Sequence, residues 1–225
     1  MFTWLFFAAV AFAFLDWAST WKGWKVRLYI AKPATLIFLI LWTLQLSDWQ
    51  GHMLWFGLGL CFSLLGDIAL LLSPRFFMVG LGSFLLAHIA YLVGFNQQPA
   101  PLTMGVTLAA VMVGLVASVV LRLIRPGITR VPHGKRFLTA VLFYGVTLTF
   151  MLLSALITLF RPEWQPLHAV MAAIGAALFF TSDSLLGYDR FVRKIKHGQS
   201  YVHLTYHVGQ ACLIIGAMWH YLSLT

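Results

Sequence analysis

The sequence predicts an all-α fold: a polytopic membrane helical bundle of eight transmembrane helices, with both termini on the non-cytoplasmic side. Three observations lead there. The chain of 225 residues is 61% hydrophobic and only 9% charged, against roughly 25% charged in soluble domains. Its apolar runs are continuous over lengths that let a helix span a bilayer, rather than alternating as a membrane β-strand would. Its basic residues gather in every second break between those runs, the pattern of a chain that crosses a membrane repeatedly. A net charge of +9 would suggest a nucleic-acid partner in a soluble protein. Here the positive residues lie in short loops, so no nucleic-acid partner is expected.

The spans follow in order. The first, 2–17, has no positive segment ahead of it and is followed by Lys22, Lys25 and Arg27, so it reads as a retained helix rather than a signal peptide. The second, 27–46, carries Lys32 and Pro33, and the proline is expected to break the helix locally. The third, 52–72, contains Asp67, and the fourth, 76–95, contains His88 and Tyr91. The fifth and sixth, 102–124 and 137–160, are almost wholly apolar. The seventh, 167–188, holds Asp183 between Ser182 and Ser184; the eighth, 201–222, holds His203, Tyr206, His207 and Gln210. The breaks, such as NQQPAP and RPGITRVPHGK, are rich in Pro, Gly and polar residues. With no linker, low-complexity tract or repeat between them, 1–225 reads as a single transmembrane domain of the cell inner (plasma) membrane. Cys61 and Cys212 lie in apolar runs and read as packing residues.

Charge fixes the orientation. The odd-numbered breaks hold Lys22, Lys25 and Arg27, then Arg75, then Arg122, Arg125, Arg130, Lys135 and Arg136, then Arg190, Arg193, Lys194 and Lys196. That is thirteen of the fifteen Lys and Arg residues; Arg161 alone lies in an even break and Lys32 inside a span. The odd breaks are therefore expected in the cytoplasm.

Orientation gives depth. Asp67 lies six residues before Ser73, roughly 9 Å from the cytoplasmic end of its span, and Asp183 lies five before Tyr188, roughly 8 Å. Lys32, Tyr206, His207 and Gln210 fall in the same layer, with His88 and Tyr91 deeper. A carboxylate inside a membrane helix costs about 2.5–3.5 kcal/mol at the centre and marks a functional position by default. Protonation, or a hydrogen bond to a neighbouring helix, also satisfies a lone acid. Lys32 is close enough to the interface to snorkel. Asp16, Asp48, Glu163 and Asp189 fall at span ends or in breaks and read as solvated. His203 and His207, at i and i+4, have a spacing seen in metal sites. Two histidines alone carry no metal assignment, and neither metal nor cofactor is expected.

The blocks AKPATL, FSLLGDIALLL, VGLGSFLLAHIAYLVGF, GAALFFTSDSLLGYDRF and TYHVGQACLIIGA together resemble the YhhN-like membrane proteins, the lysoplasmalogenase family. The resemblance covers nearly the whole chain. It implies a multi-pass enzyme that hydrolyses the vinyl ether of lysoplasmalogens to a fatty aldehyde and glycerophosphoethanolamine or glycerophosphocholine, with a membrane lysolipid as substrate. By the same likeness Asp67 and Asp183 are catalytic, and Lys32, His88, Tyr91, Ser182, Tyr206 and Gln210 bind substrate.

Vinyl ethers hydrolyse through protonation of the β carbon, so one carboxyl must hold a proton and another stay anionic. The sequence expectation is Asp67 as the acid, flanked by Leu and Ile, and Asp183 as the base, solvated by Ser182 and Ser184. Two other classes remain open. A proton-coupled transporter or lipid-handling protein would use the acids as a relay. A metal-dependent lipid amidase or esterase would gather His88, His203 and His207.

Overall fold

A computed structural model describes residues 2–130 and 134–223, excluding the side chains at 25–27, 74, 135 and 136. Of the basic residues behind the expected topology, Lys25, Arg27, Lys135 and Arg136 thus have side chains outside the description. Eight α-helices form: α1 (Trp4–Lys22), α2 (Lys25–Ser47), α3 (Met53–Leu72), α4 (Phe77–Phe95), α5 (Met104–Thr129), α6 (Gly134–Ile157), α7 (Pro166–Phe191) and α8 (Gly198–Leu222). Short 3-10 turns precede α4 and follow α6. No strand occurs among the described residues. The chain is a polytopic helical membrane protein, and α1 to α7 each contain a segment long and apolar enough to cross a bilayer. In a medium without water, helices satisfy every interior backbone group within the segment.

The helix ends follow local chemistry. Gly23 stops α1 in the left-handed region at φ +70, which costs glycine little. Thr103 caps α5, its hydroxyl accepting from the Val106 N–H. Pro166 opens α7, where its missing N–H costs nothing. Two expectations change. Helix α2 runs unbroken through Pro33, because the apolar surroundings offer freed backbone groups no water to turn to. Helix α1 continues to Lys22, five residues past the expected end. Asp16 therefore sits inside the helix and is fully buried.

Helices α1 and α2, α3 and α4, and α5 and α6 pair as hairpins, and α8 packs against α1, α2, α3 and α7. Helix α8 exposes few large apolar side chains, Tyr201 and Leu204 among them, and almost all of one side is buried. Its closest partner is α7, and small residues set that approach. A Cβ added at Gly175 would stand 2.2 Å from the Leu213 nitrogen, and one at Gly216 would stand 2.5 Å from the Ala172 nitrogen. Close backbone contact of this kind replaces the hydrophobic drive that lipid removes. Helix α5 lies at the other edge, its surface largely open to lipid.

Candidate active site

Two buried polar networks lie side by side. In the first, the Lys32 ammonium from α2 lies 2.9 Å from Asp67 Oδ1 on α3. The Tyr206 hydroxyl from α8 donates to Asp67 Oδ2 at 2.9 Å. One turn further along α8, Gln210 Nε2 donates to Ser63 Oγ (2.9 Å), and Tyr91 on α4 donates its hydroxyl to Gln210 Oε1 (2.8 Å). Ser63 and Asp67 share one face of α3, and Tyr206 and Gln210 one face of α8, because i and i+4 superpose on a helix. Lys32 does not snorkel: it is buried with its charge paired.

In the second network Asp183 on α7 gathers His88 from α4 and Tyr144 from α6. The Tyr144 hydroxyl donates to Asp183 Oδ2 in a short hydrogen bond. His88 Nε2 lies 3.2 Å from the same oxygen and 3.0 Å from the Tyr144 hydroxyl. With the Tyr144 hydroxyl donating to the carboxyl, a protonated Nε2 would be shared between the two oxygens. Both partners bind Oδ2, which leaves Oδ1 free of them.

Aromatic rings separate the networks. The Phe179 ring centroid is 4.8 Å from His88 and 5.3 Å from Tyr206, and Phe84 meets both Phe179 and Tyr206 edge-on. Among the described residues no hydrogen bond or ion pair joins Asp67 to Asp183. Their surroundings differ too. Asp183 and Tyr144 line an apolar cavity of about 320 Å³ bounded by α3 to α7, while Asp67 is fully buried away from its wall.

Several expectations are redistributed. His88 and Tyr91, three residues apart, enter different networks. Asp183 lies deeper than expected because α7 runs on to Phe191, which brings it level with His88. The Ser182 hydroxyl turns to the Val202 carbonyl at 3.0 Å and does not solvate Asp183. The three-histidine constellation is not assembled: His88 serves Asp183, whereas His203 and His207 face α1.

Asp16 also departs from its expected place. It is buried rather than solvated, with His203 Nδ1 2.8 Å and His207 Nδ1 3.6 Å from its Oδ2. Trp17 beside it donates to the His203 carbonyl. Asp189 is also engaged, accepting from the Ile195 N–H and Lys194. Tyr144 carries no signal in the sequence, where it is one aromatic in an apolar run. Asp16 did carry one: an acid facing a histidine pair at helical spacing.

The YhhN family model matches residues 28–217. The uncharacterized membrane protein YhhN of Escherichia coli O157:H7 is 26% identical over 220 residues, covering 94% of this chain and 97% of that protein. Lysoplasmalogenase TMEM86B of Mus musculus is 28% identical over 216 residues, covering 95% and 84%. The Homo sapiens protein of the same name is 27% identical over 198 residues, covering 87% and 76%. No solved structure matches the chain. The family match takes in every residue of both networks and of the cavity bounded by α3 to α7; the chain belongs to the YhhN family.

Proposed function

We propose that this protein hydrolyses the vinyl-ether bond of lysoplasmalogens, releasing a fatty aldehyde and a glycerophospho-alcohol, with Asp183 as the group that moves the proton. Support comes from relatives named lysoplasmalogenase and, above all, from one observation. Asp183 is the carboxyl that lines the apolar cavity, with Oδ2 held by Tyr144 and His88 and Oδ1 without a hydrogen bond among the described residues.

The chemistry follows from that placement. Asp183, protonated on Oδ1, gives its proton to the β carbon of the vinyl ether. Positive charge develops on the carbon bearing oxygen, next to the new carboxylate, in an apolar site where that attraction is strong. Water adds to that carbon and returns a proton to Asp183. The hemiacetal then breaks its bond to the glyceryl oxygen, and the hydroxyl proton passes to that oxygen. His88 and Tyr144 hold the carboxyl in register throughout. The expected role of acid thereby passes to Asp183. Asp67, paired with Lys32, stands outside the cavity; its partner Tyr206 packs edge-on against Phe84, which lines that cavity. Ser182 ties α7 to α8.

The basic residues support a cytoplasmic location for the α1–α2, α3–α4, α5–α6 and α7–α8 connections. The termini then face away from the cytoplasm, and the cavity end near Arg190 lies in the cytoplasmic leaflet of the inner membrane. The reading is tested by offering the purified protein, in detergent, 1-alkenyl lysophospholipids and assaying free fatty aldehyde by mass spectrometry. Aldehyde from the wild type and at least about a hundredfold less from Asp183→Asn are expected. Absence of aldehyde from the wild type, or near-normal turnover by the variant, overturns it.

A further inference from the structure

Asp183 and Arg190 are the two charged side chains on the wall of the apolar cavity. They lie on one stripe of α7, seven residues apart, which sets them about 10 Å apart along the axis. Gly187 lies between them on the same stripe and also lines the cavity. A Cβ there would stand 2.9 Å from Ile124 Cδ1, so the missing side chain lets Ile124 of α5 close on α7 at the cavity wall. The Arg190 guanidinium lies 3.7 Å above the Phe77 ring centroid. Among the described residues it has no anionic partner. Stacking on a ring fixes the guanidinium plane and leaves its N–H edges directed outward, the geometry that receives an oxyanion bidentately.

We infer that Arg190 is the phosphodiester-recognising residue of this site, selecting a single-chain lipid whose phosphate lies one glycerol unit from the bond cleaved at Asp183. The inference rests on the hydrolase reading for the identity of that bond, but the recognition itself does not require turnover. In such a lipid the ether oxygen and the phosphorus are roughly 6 Å apart at standard bond lengths. A guanidinium–phosphate contact at one end and a carboxyl–carbon contact at the other make up the rest of the separation on α7. The chain then runs into the apolar part of the cavity, where Gly114 and Gly145 leave open space. A basic residue at a helix end also serves as a topology signal. Arg190 departs from that role alone because its side chain is laid over Phe77 at the cavity, beside the acid.

Two arms test it. In the first, a non-hydrolysable ether lipid, 1-O-hexadecyl-glycerophosphocholine, and its phosphate-free counterpart, 1-O-hexadecylglycerol, are titrated onto the purified protein in detergent, with binding followed by native mass spectrometry. The wild type is expected to favour the phosphodiester by about tenfold or more, Arg190→Gln to lose that preference, and Arg190→Lys to keep part of it. Equal preference in wild type and Arg190→Gln overturns the inference, as does displacement of the lipid by inorganic phosphate alone, which would mark a free-phosphate site. In the second arm, KM and kcat are compared for 1-alkenyl-glycerophosphocholine and 1-alkenylglycerol. A KM rise in Arg190→Gln confined to the phosphodiester is expected; an equal change on both substrates overturns the inference. A wild type that binds selectively and releases no aldehyde refutes the hydrolase reading and leaves the recognition standing.

Discussion

The Lys32 ammonium and the Asp67 carboxylate face each other at 2.9 Å with 8% and none of their side-chain surfaces exposed. A buried pair of this kind is weakly stabilising as a pair and strongly destabilising when halved, because the survivor is left as an uncompensated charge. Asp67→Asn is therefore expected to cost about 3–5 kcal/mol, read as a lowered thermal midpoint in detergent. The double variant Lys32→Met with Asp67→Leu should recover most of the loss. If Asp67→Asn unfolds like the wild type, the pair is not structurally coupled as described.

Tyr144 and His88 both contact Oδ2 of Asp183, the carboxyl proposed to move the proton. Tyr144→Phe should keep the fold and lower kcat by about tenfold, less than the loss expected for Asp183→Asn, since one hydrogen bond is removed and the acid remains. Equal losses in both variants would show that the phenol, not the carboxyl, moves the proton.

Gly145 lines the cavity with nothing within 4 Å of where a Cβ would stand. Gly145→Ala is expected to be neutral or to stabilise by up to about 1 kcal/mol, through helix propensity. Gly145→Phe should fill space that the lipid tail occupies and shift hydrolysis towards shorter chains. The check is the aldehyde yield across a series of chain lengths; an unchanged profile would place the tail elsewhere.

Asp16 accepts from His203 with no exposed surface. Asp16→Ala leaves the imidazole without its buried partner, a loss of about 1–3 kcal/mol, whereas Asp16→Asn keeps an acceptor and should lose less. Both should retain the preference for a phosphodiester, since neither residue lines the cavity. A changed headgroup preference in Asp16→Ala would connect the third cluster to the site.

The helices were legible because uninterrupted apolar runs have one solution in lipid. Their ends were less so. The polar residues that close an apolar run can belong to the helix when they face a neighbour, as Asp16 does on α1; α7 likewise runs past its expected end to Phe191. Lys32, Asp67, Tyr206 and Gln210 were found together because depth and helical spacing constrain them strongly. His88 and Tyr91 lie only three residues apart, yet 60° of helical rotation is enough to send them into different networks. Tyr144 was invisible for another reason: its partner Asp183 lies 39 residues away on the next helix, and nothing in its own surroundings distinguishes it from a lipid-facing aromatic.

Helix α8 supplies Tyr206 and Gln210 to one network and His203 and His207 to another, yet it is synthesised after all the helices it satisfies. Until it arrives, Asp16, Asp67 and Ser63 lack those partners and the Gly175 face of α7 has nothing to press against. A nascent chain stalled before Gly198 would thus display Asp16 without its histidines within the bilayer, a mark that a membrane protease or insertion chaperone can recognise. Completion of the buried polar networks around α8 and release from quality control would then be the same event.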